Sequence, residues 1–221
     1  MSERVRTILY MAAVAGLFTA AVSGVQIATA GRIAANRDTA RKRVILRVLG
    51  AEVPPSASAS RVSAVYDERV KESGIDLNAP GGNPVLVATA EDGSVSGYAF
   101  RVEGQGLWDV IQGYVAVSAD RRRLLGLAFY KHNETPGLGA EITKPWFERQ
   151  FEGLDLPAEG EARGKLIRLV SAGAEQSPGD VDAITGATLT SAGVEECVNA
   201  GLARFLERMA AEPPAIDKAE R

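Results

Sequence analysis

The sequence predicts an α+β protein, with a single N-terminal transmembrane helix followed by a domain of antiparallel or mixed sheet and packed helices. Three observations carry this. Residues 7–30 contain no charged side chain. Between about residues 85 and 130, short apolar runs alternate with small or polar residues and are separated by turns, the two-residue period of half-buried strands. Near the C-terminus, Val194, Cys197, Val198, Leu202, Phe205 and Met209 recur every three to four positions, the period of a helix with one buried face.

Bulk properties narrow the classes. The chain has 221 residues, 46% hydrophobic and 24% charged, enough for one domain of moderate size with appendages. A net charge of −3 lacks the basic footprint of a nucleic-acid partner. The single cysteine, Cys197, allows no intrachain disulfide and falls on the apolar stripe, where a buried inert thiol is expected. With one histidine, His132, far from Cys197 in sequence, a zinc site has too few ligands. A serine or cysteine nucleophile would have only His132 as an imidazole base, so a catalytic triad has little support.

Residues 1–6 are mostly polar, with Arg4 and Arg6, and are read as a cytoplasmic N-terminus. The uncharged run 7–30 would be roughly 36 Å long as a helix, against a hydrocarbon core of about 30 Å. A cleaved signal peptide is the competing reading, since Ala28-Thr29-Ala30 has the small-residue form of a cleavage site. The run exceeds the apolar core of about 7–15 residues usual for such peptides, which favours an uncleaved anchor. Arg32, Arg37, Arg41, Lys42, Arg43 and Arg47 follow the span and outnumber the two cations before it. That count alone would place the C-terminal side in the cytoplasm.

Residues 31–50 read as a continuing amphipathic helix, broken by Gly50. The Pro54–Ser60 stretch is too poor in large apolar groups to pack and reads as a linker. Residues 31–61 are thus a helical connector and linker, the folded domain runs from 62 to 210, and 211–221 form a polar tail. Within the domain, 78–84 is a turn-rich break. Strands are expected at Val85–Ala88, around Tyr98, Phe100 and Val102, over Trp108–Val117 and Leu124–Tyr130, and at Leu166–Val170. The triple arginine 121–123 reads as a solvated hairpin turn, with docking to an acidic partner as the lesser reading. A short helix at 144–151 takes Pro145 in its first turn.

The chemistry concentrates in three stretches. Asp182-Ala183-Ile184-Thr185-Gly186-Ala187-Thr188-Leu189-Thr190-Ser191 crowds hydroxyls and small residues before the last helix. Gly186, Ala187 and Thr188 should form a tight turn opening onto the helix N-terminus, with Thr190 or Ser191 as N-cap and Glu195 and Glu196 in the first turn. Free N–H groups there would seat a phosphate; a capped helix with no ligand is the plainer reading. The loop from Lys131 to Gly139 follows a strand directly and is shaped by Pro136 and two glycines to let a ligand approach its main chain. Trp108, after Gly104 and Gly106, is either core or a stacking surface for a planar ring. Together these make a plausible pocket for a phosphorylated aromatic ligand.

The run Gly106-Leu107-Trp108 through Gly113-Tyr114, the run Leu127 to Gly139 with its Glu-Thr-Pro-Gly-Leu-Gly core, and the run Asp182 to Ser191 together resemble the C subunit of the sodium-translocating NADH:quinone reductase. The related G subunit of the Rnf complex shares the Glu134–Gly139 and Gly186–Thr188 elements. The Gly-Leu-Trp and Leu-Thr-Ser elements are closer to the C subunit. The resemblance implies an FMN-binding domain whose flavin mononucleotide is joined by a phosphoester bond to Thr188, the last residue of the Asp182, Thr185, Gly186, Ala187, Thr188 pattern. It implies attachment by a separate flavin transferase that uses flavin adenine dinucleotide and magnesium.

By the same resemblance, Leu107, Trp108, Glu134, Thr135, Leu138 and Gly139 would surround the ring, with Leu189 and Thr190 completing the site. The implied role is electron carriage among other subunits of a membrane complex, with neither NADH nor quinone bound by this chain. The implied location is a bacterial inner membrane, single-pass, with the FMN domain periplasmic, against the cation count. Two alternatives stand beside it: the G-type subunit of an Rnf complex, and a membrane-anchored assembly module that never carries flavin.

Overall fold

The structure, a computed structural model, describes residues 2–51, 53–78, 83–156, 164–175 and 177–211. The centre of the expected turn-rich break and nearly all of the expected polar tail lie outside these residues. The chain divides into two compact units, Met1–Ala40 and Arg41–Arg221. The first belongs to a single helix, α1 (Glu3–Val48), which runs without interruption through Ala28-Thr29-Ala30. Ile8, Leu9, Tyr10, Met11, Leu17, Phe18, Val22, Val25 and Ile27 are all exposed on it. It contains a stretch long and apolar enough to cross a bilayer, which fits a membrane anchor.

The second unit is built on a five-stranded sheet in the order β1 (Val70–Asp76), β2 (Pro84–Thr89), β3 (Val95–Gln105), β4 (Val110–Ser118) and β5 (Leu124–Lys131). Every neighbouring pair is antiparallel. The two-residue period sorts side chains onto two faces. Phe100, Val102, Ile111, Val115, Leu127 and Phe129 face one core, which is closed by α3 (Pro145–Glu148), a following 3₁₀ turn (Arg149–Phe151) and α4 (Thr188–Ala211). Ala99, Tyr114, Ala116 and Ala128 face the other, closed by the end of α1 and by α2 (Ala59–Arg69). A small parallel pair, β6 (Arg168–Val170) and β7 (Asp180–Asp182), leads into α4.

The sequence places the start of the folded domain near Val62. Instead Ile45, Leu46 and Val48 are buried in the second core, and the compact unit takes in the chain from Arg41. The linker is also shorter than expected. Ser58 caps α2, its Oγ accepting from the Arg61 N–H at 3.3 Å. The segment before it is held by Arg43, which donates to the Pro54, Pro55 and Ala57 carbonyls. Lys42 reaches Ser63 and Asp67 on α2 and lies over the Tyr66 ring. These cations replace the large apolar groups that the stretch lacks.

Helix α4 fixes the rest. A Cβ at Gly193 would overlap the Gln105 carbonyl oxygen, and one at Gly104 would fall 2.6 Å from Cys197 Cβ. The helix therefore lies directly on β3, with backbone nearly touching backbone. From its other side, Asn199 Oδ1 accepts from the Leu166 and Ile167 N–H groups at 2.7 and 3.0 Å, and its Nδ2 donates to the Ile167 carbonyl at 2.8 Å. Glu195 accepts from the Leu169 N–H at 2.7 Å. Arg168 and Asp180 then lock β6 to β7 through two bonds, at 2.8 and 2.9 Å. Hydrogen bonding from the Ser177 N–H, then from Arg168, holds the Asp180 carboxyl below the usual range.

Two outcomes follow from these contacts. Asn199→Ala leaves two N–H groups and a carbonyl without their partner, costing about 1–3 kcal/mol in urea unfolding. Hydrogen exchange at Leu166 and Ile167 should quicken, and unchanged protection would contradict the assignment. The second concerns Glu148, buried on α3 with its Oε1 3.0 Å from Arg47 Nη2. Burial pushes its carboxyl from 4.5 up to about 7, opposed by Arg47 and the Phe129 N–H and aided by Glu152. The folded state thus holds this proton more tightly than the unfolded chain. That stability is complete below about 4.5 and is lost as pH rises through about 7. Glu148→Gln should therefore raise the thermal midpoint relative to the parent more at about pH 8.5 than at about pH 5. A difference independent of pH would refute it.

Candidate functional site

Three loops meet at one end of the sheet. The first joins β3 to β4, closed by a bond from the Gly106 N–H to the Asp109 carbonyl at 2.9 Å. It carries Leu107 and Trp108, which are 47% and 68% exposed. The second leaves β5 and turns at Thr135-Pro136-Gly137-Leu138, closed by Leu138 N–H to the Thr135 carbonyl at 3.1 Å. The third leaves β7 and turns at Ile184-Thr185-Gly186-Ala187, closed by Ala187 N–H to the Ile184 carbonyl at 3.0 Å. Gly186 has φ +79°, the left-handed conformation that the third residue of a type II turn requires.

Helix α4 begins at Thr188, immediately after this turn. The Ala187 carbonyl accepts the first helical bond, from the Ser191 N–H at 2.9 Å. The expected capping roles of Thr190 and Ser191 are therefore corrected: both lie inside the first turn and are buried. Thr190 Oγ1 donates to Glu134 Oε2 at 2.5 Å, and Ser191 Oγ accepts from the Ile184 N–H at 3.1 Å. Glu195 and Glu196 lie beyond the first turn, so they do not complement the helix dipole there. Among the described residues, no acceptor takes the N–H groups of Thr188, Leu189 and Thr190. The Thr188 hydroxyl is exposed beside them and bonds to no described residue. This is the arrangement of a helix N-terminus open to an anion.

The structure brings most of the expected residues together. Trp108 Nε1 donates to Thr135 Oγ1 at 3.2 Å, and Leu138 Cδ2 lies 3.0 Å from where a Cβ on Gly186 would stand. Leu107, Trp108, Leu138 and Leu189, on these loops and at the start of α4, are all large apolar side chains left exposed, as is Thr188. Trp108 is thus surface and not core. Glu134, Gly139, Ala187 and Thr190 sit in the interior behind them. Asp182 stands further back, its N–H donating to Gln150 Oε1 at 2.7 Å and its carbonyl accepting from Gln150 Nε2 at 3.4 Å. Thr188 also lines a cleft of about 470 Å³, together with Leu169, Ser171, Thr185, Gly186, Ser191 and Glu195. A larger hollow of about 560 Å³, against Leu46, Arg69 and Glu91, is lined by none of the expected site residues.

Sequence reasoning misses Gln150 and Asn199 as supports of this site and gives Glu195 a helix-dipole role in place of its bond to Leu169. Gln150 carried no signal. Asn199 and Glu195 did, because their spacing of four places them on one helix face. The groups gathered here are N–H donors, a hydroxyl and exposed apolar side chains. His132 Nδ1 accepts from the Glu134 N–H at 3.2 Å, and burial pushes the Cys197 thiol up to about 12. No group of three or more potential metal ligands occurs among the described residues. An FMN fits what is present: N–H groups for its phosphate, and an exposed indole with three leucines for an apolar ring.

Comparison with known proteins agrees. Residues 106–203 match the model of the FMN-binding domain family. A solved C subunit of the Na(+)-translocating NADH-quinone reductase from Parabacteroides distasonis superposes with a TM-score of 0.62 at 30% identity, covering 78% of this chain and 94% of that one. The Pseudomonas aeruginosa C subunit is 27% identical over 88% of this chain and 89% of its own length. The Neisseria meningitidis C subunit is 39% identical over 113 residues, half of this chain, and the matched region spans 42% of that relative's length. On the identity and near-complete coverage of the Parabacteroides structure, with the matched FMN-binding domain, the chain belongs to the family of the C subunit of the Na(+)-translocating NADH-quinone reductase.

Proposed function

We propose that this chain is an electron-carrier subunit of a membrane NADH:quinone oxidoreductase coupled to sodium translocation, with FMN joined through its phosphate to Thr188. The observation that carries the reading is the exposed Thr188, the first residue of α4, next to three N–H groups without acceptors among the described residues. A phosphodiester there gains about 0.3–1 kcal/mol from the helix dipole, more where partly buried. Trp108, Leu107, Leu138 and Leu189 offer apolar cover on the same surface. FMN in this seat would supply the electron transfer, and that chemistry belongs to the cofactor. The protein's part is to hold the phosphate, orient the ring and keep it from dissociating.

Supporting features set the context. Partners under this reading are other subunits of the complex and a flavin transferase that reaches the exposed Thr188. Under this reading NADH and quinone bind elsewhere in the complex. The α1 helix is the inner-membrane anchor, and the FMN domain lies on the periplasmic side. The cation count argues against that side, but Lys42, Arg43 and Arg47 all serve contacts within the folded unit. The curated relatives compared above are named as C subunits, which favours this reading over an Rnf-type subunit.

Co-expression with a flavin transferase should yield a protein whose intact mass includes one FMN and which fluoresces in a denaturing gel. Thr188→Val should lose both while keeping its thermal midpoint near the parent's. Flavin retained by the variant would refute the attachment site, and none on the parent would favour the assembly-module reading. Topology is read separately: a cysteine placed at Asp217 should react with an impermeant thiol reagent on intact cells. Labelling only after lysis would place the domain in the cytoplasm.

A further inference from the structure

Glu134 stands out among the buried groups. It is 5% exposed, and no basic side chain pairs with it among the described residues. Both carboxylate oxygens act as acceptors. Oε1 takes the Trp108 N–H at 3.1 Å, and Oε2 takes the Thr190 hydroxyl at 2.5 Å. One side chain from the second loop therefore ties the first loop to the first turn of α4.

The surrounding backbone is cut to fit it. A Cβ on Gly106 would lie 2.5 Å from Oε1, and a Cβ on Gly139 would lie 2.5 Å from Oε2. Any side chain at either position would collide with the carboxylate. The two glycines form a cradle for an ion, and the ion holds in place the residue that bears the exposed indole. A buried charge with no counter-ion is costly, and its partial compensation here is the positive end of α4 together with two hydrogen bonds.

We propose that Glu134 is a positioning residue. Its carboxylate clamps Trp108 to the start of α4 and places a fixed negative charge behind the flavin seat. The clamp is independent of any cofactor. The electrostatic consequence rests on the proposed flavin site: a buried negative charge opposes the arrival of an electron nearby, more strongly than it would in water. Glu134 thus biases a flavin in this seat toward lower potential.

The experiment separates geometry from charge and separates both from flavin attachment. The chain has two tryptophans, so a Trp146→Phe background leaves Trp108 as the sole indole. In flavin-free protein made without a transferase, Glu134→Ala should lower the fluorescence anisotropy of Trp108. Glu134→Gln should preserve it, because an amide can accept from the Trp108 N–H and donate to Thr190 Oγ1. In flavinylated protein at fixed pH, Glu134→Gln should shift the midpoint potential to a more positive value, since it removes the charge and keeps the shape. Unchanged anisotropy in Glu134→Ala would overturn the clamp, and an unchanged potential in Glu134→Gln would overturn the charge role. Should Glu134→Ala fail to fold, loss of anisotropy in a folded Glu134→Gln would itself overturn the account. If the parent takes up no flavin, the proposed function fails while the anisotropy result still decides the clamp.

Discussion

The close approach of α4 to β3 is the constraint on which the domain depends. Gly193 and Gly104 remove the side chains that would otherwise separate helix from strand. Cys197, Val198, Leu202 and Phe205 then enter the first core, where Phe205 stacks on Phe100 at 4.8 Å between ring centroids. A helix seated this closely cannot roll or slide without driving its backbone into Gln105. Its N-terminus is therefore a fixed point. The turn at Gly186, the exposed Thr188 and the buried Thr190 inherit their places from that contact.

Around this point the protein separates two jobs along one helical turn. Thr190 and Ser191 face inward and bond to Glu134 and Ile184. Thr188 and Leu189 face outward. Neighbouring positions on a helix point about 100° apart, so one turn can be anchored by its inner residues while its outer ones stay available. The same division runs through the Glu134–Gly139 loop, where Glu134 and Gly139 are interior while Thr135 and Leu138 are exposed. A motif of this kind mixes residues left open at the surface with residues that hold the others still. Its sequence does not say which are which.

The sheet was legible in the sequence where period and turns were strong. The alternation at Tyr98, Phe100 and Val102, the 118–123 turn and Pro145 all marked elements that the structure contains. Helix α2 was not legible, because its buried contact rests on Val62, Val65 and Tyr66 among serines and charges. Nor were β1 and β7. The first holds Lys71, Glu72, Ser73 and Gly74, and the second is three residues long and depends on pairing with β6. At the site, the hydroxyl-rich turn was visible, but the helix start was placed too late. Capping propensity favours Ser191 and Thr190, and tertiary bonds to Glu134 and Ile184 claimed their hydroxyls instead.

Lys42, Arg43 and Arg47 show how a single residue can answer to two constraints. Along the sequence they are part of the charge that follows the long apolar stretch. Once folded, each is committed: to α2, to the Pro54–Ala57 carbonyls, and to Glu148. Neutralising any of them would remove a structural contact. The charge that follows the apolar stretch and the charge that fastens the folded unit are therefore the same at these three positions, and neither can be changed there alone.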